Sequence, residues 1–224
     1  MTQRRTRIKI CGLRDEASVR AAVEAGADAV GFVFVHGSPR HIHLDQARPL
    51  VAALPAFVEP VGLFVDAALG EVRQAAAELG LRTVQLHGSE TPEFAAALSP
   101  LRVIKGLHFT PDAASHAAVA WRGVANVAAL LWDTPPRQPQ AAAAGGSGVR
   151  FDWEGLAALV RRGVFDRLPP IIVAGGLNPD NVPEAIAAVR PFAVDVSSGV
   201  ESSRGVKDAA LIARFCAAVH QADQ

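Results

Sequence analysis

The sequence predicts the α/β class, arranged as one closed barrel of eight parallel strands with a helix after each strand. Three observations carry that expectation. Short apolar runs alternate with helical segments eight times in 224 residues, roughly 28 residues per unit. The runs are apolar along their length rather than alternately polar and apolar, which implies burial on both faces, as in a parallel sheet. No run reads as an edge strand guarded by charges or prolines, so closure is favoured over an open doubly wound sheet. The expected architecture is a single (β/α)8 TIM barrel, one domain over residues 1–224.

The elements follow in order. Residues 7–11, RIKIC, read as the first strand, and 15–25 as an Ala-rich helix stopped at Gly26. AVGFVF (29–34) is the second strand, followed by a helix over 44–54 in which Pro49 predicts a late start or a kink. EPVGLFV (59–65) precedes a helix over 67–79, RTVQLHG (82–88) one over 92–98, and RVIKGL (102–107) a weaker one near 112–120. VAALLWD (127–133) precedes a helix near 153–161. PIIVAGG (170–176) leads to a helix over 179–189, opened by Asn178-Pro179, and FAVDVSSG (192–199) to the closing helix over 207–219. Between the sixth strand and its helix, TPPRQPQAAAAGGSGVR (134–150) has neither period. A loop this long inside a compact domain is usually functional or disordered. The strand–helix series resumes directly beyond it, so it is a loop within the domain and not a linker.

Composition narrows the function classes. Acidic and basic residues balance at 22 each, so no basic excess recommends nucleic acid or an anionic membrane surface as partner. No apolar run approaches the length of a membrane span, and the basic opening MTQRRTRIKI lacks the apolar core of a signal peptide. Two cysteines, Cys11 and Cys216, are too few for a disulfide framework. The expectation is a cytoplasmic protein acting on a small molecule, as a monomer or a homodimer.

In such barrels the active site lies where the strands end, so polar residues at those ends are the candidates. They are Cys11, Arg40, Asp66, His87, Lys105 and Asp133. Three small-residue clusters join them: Gly145-Gly146-Ser147-Gly148, Ala174-Gly175-Gly176 and Ser197-Ser198-Gly199. Glycine exposes backbone N–H groups that suit an anion, and the loops after strands seven and eight commonly hold phosphate; tight turns without a ligand are the plain alternative. Cys11 reads either as a small buried hydrophobe or, at a strand tip beside Gly12, as a reacting group. Asp133 ends the apolar AALLW run, where a neighbouring Trp132 would raise its pKa; otherwise it caps a loop. Arg40 either grips a carboxylate with its planar fork or is a solvated loop residue. Cys216 belongs to the core. His41-x-His43 lacks convincing partners, so no metal is expected.

The segments KICGL, GFVF with SPR, VGLFVD, VQLHG, VIKG, LLWDT, GGSG with FDW, AGGLNPDNV and DVSSGVE with KD occur in the order found in phosphoribosylanthranilate isomerase. The resemblance runs from Ile8 to about Phe215 and covers all eight units. It implies an Amadori rearrangement of a phosphoribosyl aminoaldose in tryptophan biosynthesis, without a cofactor. By the resemblance Cys11 matches the general base, Asp133 the general acid, and Arg40 the residue that binds the anthranilate carboxylate. The phosphate would be held by main-chain groups around Gly146, Gly148, Gly175, Gly176, Ser197, Ser198 and Gly199. The acid role asks that Asp133 stay protonated near neutral pH, and the base role asks for some thiolate at Cys11. Rival readings are a histidine-pathway isomerase, a pentose-phosphate epimerase, the indole-forming synthase, and a non-catalytic phosphosugar-binding barrel. Cys11 in place of a first-strand aspartate, the lack of metal-ligand histidines, and only three lysines weigh against the first three. Cys11, Arg40 and Asp133 together weigh against the last, because phosphate binding needs none of them.

Overall fold

The computed structural model describes residues 5–135 and 151–224. Its eight parallel strands close in sequence order, with the last paired back to the first. They are β1 (Arg7–Cys11), β2 (Ala29–Val33), β3 (Glu59–Phe64), β4 (Thr83–Leu86), β5 (Arg102–His108), β6 (Val127–Asp133), β7 (Ile171–Val173) and β8 (Ala193–Val196). Each is followed by a helix: α1 (Glu16–Glu24), α2 (Leu44–Ala52), α3 (Leu69–Leu79), α4 (Pro92–Ala97), α5 (Ala114–Val119), α6 (Trp153–Arg161), α7 (Val182–Val189) and α8 (Ala209–Ala222).

Strand alternation divides the core into two layers. On β1, Ile8 and Ile10 point outward and are 1% and 0% exposed, while Lys9 and Cys11 point into the barrel. The outer layer between strands and helices holds the largest side chains, among them Phe32, Trp132 and Phe215. The inner layer is built of Val61, Ile104, Ala129, Leu131 and Ile172. Each fully buried Leu, Ile, Val or Phe contributes about 1.5–3 kcal/mol. Side-chain caps fix several helix starts: Asp15 accepts from Ser18 N at 2.8 Å, and Asp152 from Gly155 N at 2.9 Å. Such a cap is typically worth about 1 kcal/mol.

Three expectations are corrected. α2 does not start late. Its first turn is fixed by Gln46 Oε1, which accepts from His43 N at 3.2 Å, and Pro49 lies inside it. The hydrogen bond that Pro49 cannot make would have gone to Asp45, and both residues are exposed, so water can take the freed carbonyl. α7 starts three residues beyond Pro179, because the Asn178 side chain accepts from the N–H groups of Asp180 and Asn181 and holds a turn there. Pro183, not Pro179, occupies the first helical turn. Third, the closing helix expected over 207–219 begins at Ala209, because the chain before it forms a 3₁₀ turn (Ser198–Val200) and an antiparallel pair, β9 (Glu201–Ser203) and β10 (Val206–Lys207). Of the predicted loop at 134–150, residues 136–150 lie outside the described residues, and with them Gly146 and Gly148. Among the described residues no helix is long and apolar enough to cross a membrane.

Candidate active site

The C-terminal mouth of the barrel gathers most of the predicted polar residues. Cys11 closes the inward face of β1 and is 4% exposed. Two residues below it on the same face, Lys9 Nζ donates to Asp195 Oδ1 of β8 at 2.7 Å. Lys9 and Asp195 are register partners across the β1–β8 pair, and both are buried. Gly31 of β2 lies beside the thiol, and a Cβ there would come within 2.8 Å of Cys11 Sγ. Burial pushes the Cys11 thiol up; Lys9 opposes this, Asp195 adds to it and Lys207 opposes it, and the net is upward. Without a ligand the residue is therefore a thiol.

Asp133 ends the inward face of β6, separated from Cys11 by β7 and β8. Its Oδ2 lies 3.2 Å from His87 Nε2, and its Oδ1 accepts from Thr134 N at 2.7 Å. Gly175, at φ 78°, packs on the other side, where a Cβ would meet Oδ1 at 2.6 Å. The expectation that Trp132 raises the Asp133 pKa is overturned. Adjacent strand residues face opposite ways, so Trp132 packs outward against Phe109 and Phe165. Burial does push the Asp133 carboxyl up, but the hydrogen bond and charge of His87, then the Thr134 amide, outweigh it and hold it below its usual range. The ligand-free residue is a carboxylate. Behind it, Gln85 Nε2 lies 3.1 Å from His87 Nδ1, so β4 supplies the orienting group and the residue directly after the strand supplies the imidazole.

Arg40 is not a solvated loop residue. Its side chain is 7% exposed and pairs with Glu201, Nε to Oε1 at 2.7 Å and Nη2 to Oε2 at 2.9 Å. The same carboxylate accepts from Lys207 Nζ at 2.8 Å and from Gly205 N at 3.0 Å. Arg40 reaches the mouth across Gly12, where a Cβ would lie 2.7 Å from its Cδ. Ser197 Oγ donates to the Cys11 carbonyl at 3.0 Å, and Lys207 Nζ donates to the Ser197 carbonyl at 2.8 Å. Two of the three glycine-rich clusters meet: Gly175 and Gly176 both have left-handed backbones, and Gly199 packs on the Leu177 carbonyl so closely that only hydrogen fits.

Sequence reasoning missed the partnership of Glu201 and Lys207, although both lie in the ESSRGVK stretch, where opposite charges flank a glycine turn. It also placed Lys105 among the mouth residues. The structure turns Lys105 outward on β5, where it donates to the Gly88 carbonyl at 2.6 Å and to Glu90 at 2.7 Å, under the Trp121 ring. Asp66 stays near the mouth, but its carboxylate accepts from Ser89 N and stabilises a loop. His36, His41 and His43 meet ring to ring with centroids 4.6 Å apart. Among the described residues no group of three or more His, Cys, Asp or Glu is arranged to hold a metal ion.

Residues 8–218 match the family model of N-(5'-phosphoribosyl)anthranilate (PRA) isomerase. The chain is 46% identical to the N-(5'-phosphoribosyl)anthranilate isomerase of Geobacter metallireducens over 209 residues, covering 93% of this chain and 96% of the relative. It is 46% identical over 221 residues to that of Methylibium petroleiphilum, covering 98% and 96%. Among solved structures, the Thermotoga maritima isomerase aligns with a TM-score of 0.84 and 37% identity, over 96% of this chain and 99% of that one. An isomerase complexed with reduced 1-(o-carboxyphenylamino)-1-deoxyribulose 5-phosphate aligns at 0.82 and 36% identity, with the same coverage. This breadth of match agrees with a mouth that carries Cys11, Arg40 and Asp133 on the β1, β2 and β6 sides of one closed barrel: the chain belongs to the N-(5'-phosphoribosyl)anthranilate isomerase family.

Proposed function

We propose that Cys11 is the general base and Asp133 the general acid with which this isomerase rearranges N-(5-phosphoribosyl)anthranilate to 1-(2-carboxyphenylamino)-1-deoxyribulose 5-phosphate. Asp133 protonates the furanose ring oxygen as the C1–O bond breaks, leaving an iminium at C1. The iminium acidifies the proton on C2, which the Cys11 thiolate removes. The C–H electron pair becomes the C1–C2 double bond and neutralises the nitrogen, giving an enolamine. Proton gain at C1 and loss from the C2 hydroxyl then give the ketone. C1 is reduced and C2 oxidised within one molecule, so the electrons balance without an external oxidant.

The observation that carries this reading is the paired placement of the two groups. Each closes an inward strand face at the same mouth, and each rests against a glycine, Gly31 or Gly175, whose missing side chain leaves it room. The resting protonation states, thiol and carboxylate, are one proton exchange away from the reactive pair. Lys9 and Lys207 favour the thiolate side of that exchange. Arg40 would meet the anthranilate carboxylate from the loop after β2. The phosphate would sit on main-chain groups of Gly175, Gly176, Ser197, Ser198 and Gly199, joined by Gly146 and Gly148. Anchoring this unreactive end positions the reacting end.

Loss of anthranilate-type fluorescence on adding fresh substrate tests the assignment. Cys11→Ser and Asp133→Asn should each slow turnover by orders of magnitude and still bind product. Unimpaired turnover by Cys11→Ser would remove the thiol from the reaction, and unimpaired turnover by Asp133→Asn would remove the carboxyl.

The pathway fits a cytoplasmic enzyme, and one surface feature favours the homodimer over the monomer. Phe57, at the barrel end opposite the site, is fully exposed on a left-handed backbone, and the Thermotoga maritima relative is dimeric. Sedimentation of the wild type and of Phe57→Glu checks this: a dimer that dissociates in the variant supports it, and a monomeric wild type rejects it.

A further inference from the structure

Lys9 has no part in the proton transfers just described, yet it is a buried cation directly beneath the base. Its side chain is 4% exposed and that of Asp195 9%. A lysine kept from water at this depth needs a reason beyond stability, because an apolar pair of similar volume often serves a core as well. Position supplies one. Lys9 and Cys11 are two residues apart on the inward face of β1, so the ammonium lies under the thiol. Among the described residues, the charged groups that act on Cys11 are Lys9 on its own strand, Asp195 from β8 and Lys207 from β10. On the β2 side Gly31 lies against it, and a Cβ there would come within 2.8 Å of Sγ.

We propose that Lys9, held charged by Asp195, is the positioning residue that makes the Cys11 thiol able to give up its proton. The inference rests on the assignment of Cys11 as the base. Lys9 stabilises the thiolate directly, and Asp195 acts in two opposed ways. It keeps Lys9 protonated in a buried site, and its own negative charge works against a thiolate nearby. Burial lowers the Lys9 pKa, but Asp195 and then Cys11 outweigh it, so the net shift is upward and the ammonium persists. The barrel thus holds a buried cation–anion pair whose balance tunes the base, without placing either group on the substrate.

Opposite signs distinguish this role from a structural one. Lys9→Met removes the cation and leaves the anion; Asp195→Asn removes the anion and leaves the Cys11 thiolate as the group that keeps Lys9 charged. Thiolate absorbance near 240 nm reads the titration directly, with Cys11→Ser as the blank. The chain has no tyrosine to absorb there, and burial pushes the Cys216 thiol up to about 12, above the working range. In Lys9→Met the Cys11 titration should move up, and alkylation by iodoacetamide at fixed pH should slow about tenfold or more, a tenfold change in thiolate fraction per pKa unit. In Asp195→Asn both should move the other way. The acidic limb of kcat/KM should follow, upward in pH for Lys9→Met and downward for Asp195→Asn. Lys9→Arg, which keeps the charge, should restore the wild-type titration and carries the test with Asp195→Asn if Lys9→Met does not fold. Shifts of the same sign in the two neutralising variants, or an unmoved thiol in either, would overturn the proposal. Full turnover by Cys11→Ser would instead overturn the base assignment, and the absorbance titration would still report on Lys9.

Discussion

Replacing Glu201 with glutamine tests the junction that ties the barrel mouth together. The Glu201 side chain is 4% exposed and takes four hydrogen bonds between 2.7 and 3.0 Å, from Arg40 Nε and Nη2, Lys207 Nζ and Gly205 N. Glutamine keeps the shape but removes the charge, and it turns an NH₂ group toward a cation that had faced an oxygen. Two buried cations then share no carboxylate. Breaking a buried pair in this way costs about 3–5 kcal/mol. For a chain of this size each kcal/mol is worth about 2–4 °C, so the melting temperature should fall by about 10 °C.

The pH dependence gives a second, sharper signature. Burial pushes the Glu201 carboxyl up, but Arg40, Lys207 and the Gly205 amide outweigh it and bring it from 4.5 down to about 2. A carboxyl depressed on folding adds stability that is complete above its unfolded pKa and disappears as pH falls through its folded one. Urea unfolding should therefore show the full gap between wild type and Glu201→Gln at pH 7. The gap should shrink below about 4.5 and largely close near 2. A gap under about 1 kcal/mol at pH 7, or one that stays constant down to pH 2.5, would refute the reasoning.

Three further outcomes follow from the same geometry. In His87→Gln the group that holds Asp133 ionised is lost, so burial should raise the Asp133 carboxyl, and a ¹³C-carboxyl titration by NMR should show its midpoint above that of the wild type. Gly31→Ala places a methyl 2.8 Å from Cys11 Sγ. It should cost about 1–3 kcal/mol in thermal stability through overpacking, and kcat should drop at least tenfold with circular dichroism unchanged. Arg40→Lys keeps a charge for Glu201 but loses the planar fork, so KM should rise about tenfold with a smaller change in kcat, measured by initial rates.

Strand order and the strand-end positions of Cys11 and Asp133 were legible because they depend on local patterning. A buried parallel strand must be apolar along its length, and a residue at its C-terminal tip must face the mouth or the helices. Parity is harder to read. Asp133 and Trp132 are neighbours in sequence and point to opposite sides of β6, so the sequence suggested an apolar carboxyl where the structure supplies His87 from just beyond β4. Lys105 failed for the same reason: it lies on β5 with the wrong parity for the barrel interior and stabilises the Gly88–Glu90 loop. The start of α7 was misjudged, and a late start was entertained for α2, because a proline was read without the side chains that satisfy the turn around it.

Long-range charge pairing was the least legible feature, and the lysines show why. The chain has 19 arginines and only three lysines. Each lysine is buried against one carboxylate: Lys9 with Asp195, Lys105 with Glu90 and Lys207 with Glu201, with ammonium side chains 4%, 3% and 1% exposed. Exposed cationic work, such as the pairs of Arg5 with Asp28 or Arg214 with Asp180, falls to arginine. An ammonium is a compact charge with three rotatable donors, which suits a buried pairing with one carboxylate. The scarcity of lysine was visible from the sequence, and it carried more information than the spacing of any one of them. Its meaning needed the closed barrel, because each carboxylate partner sits on a different strand or loop. The Lys9–Asp195 pair and Lys207 act on Cys11, so charges that hold the mouth together also bear on the protonation of its thiol.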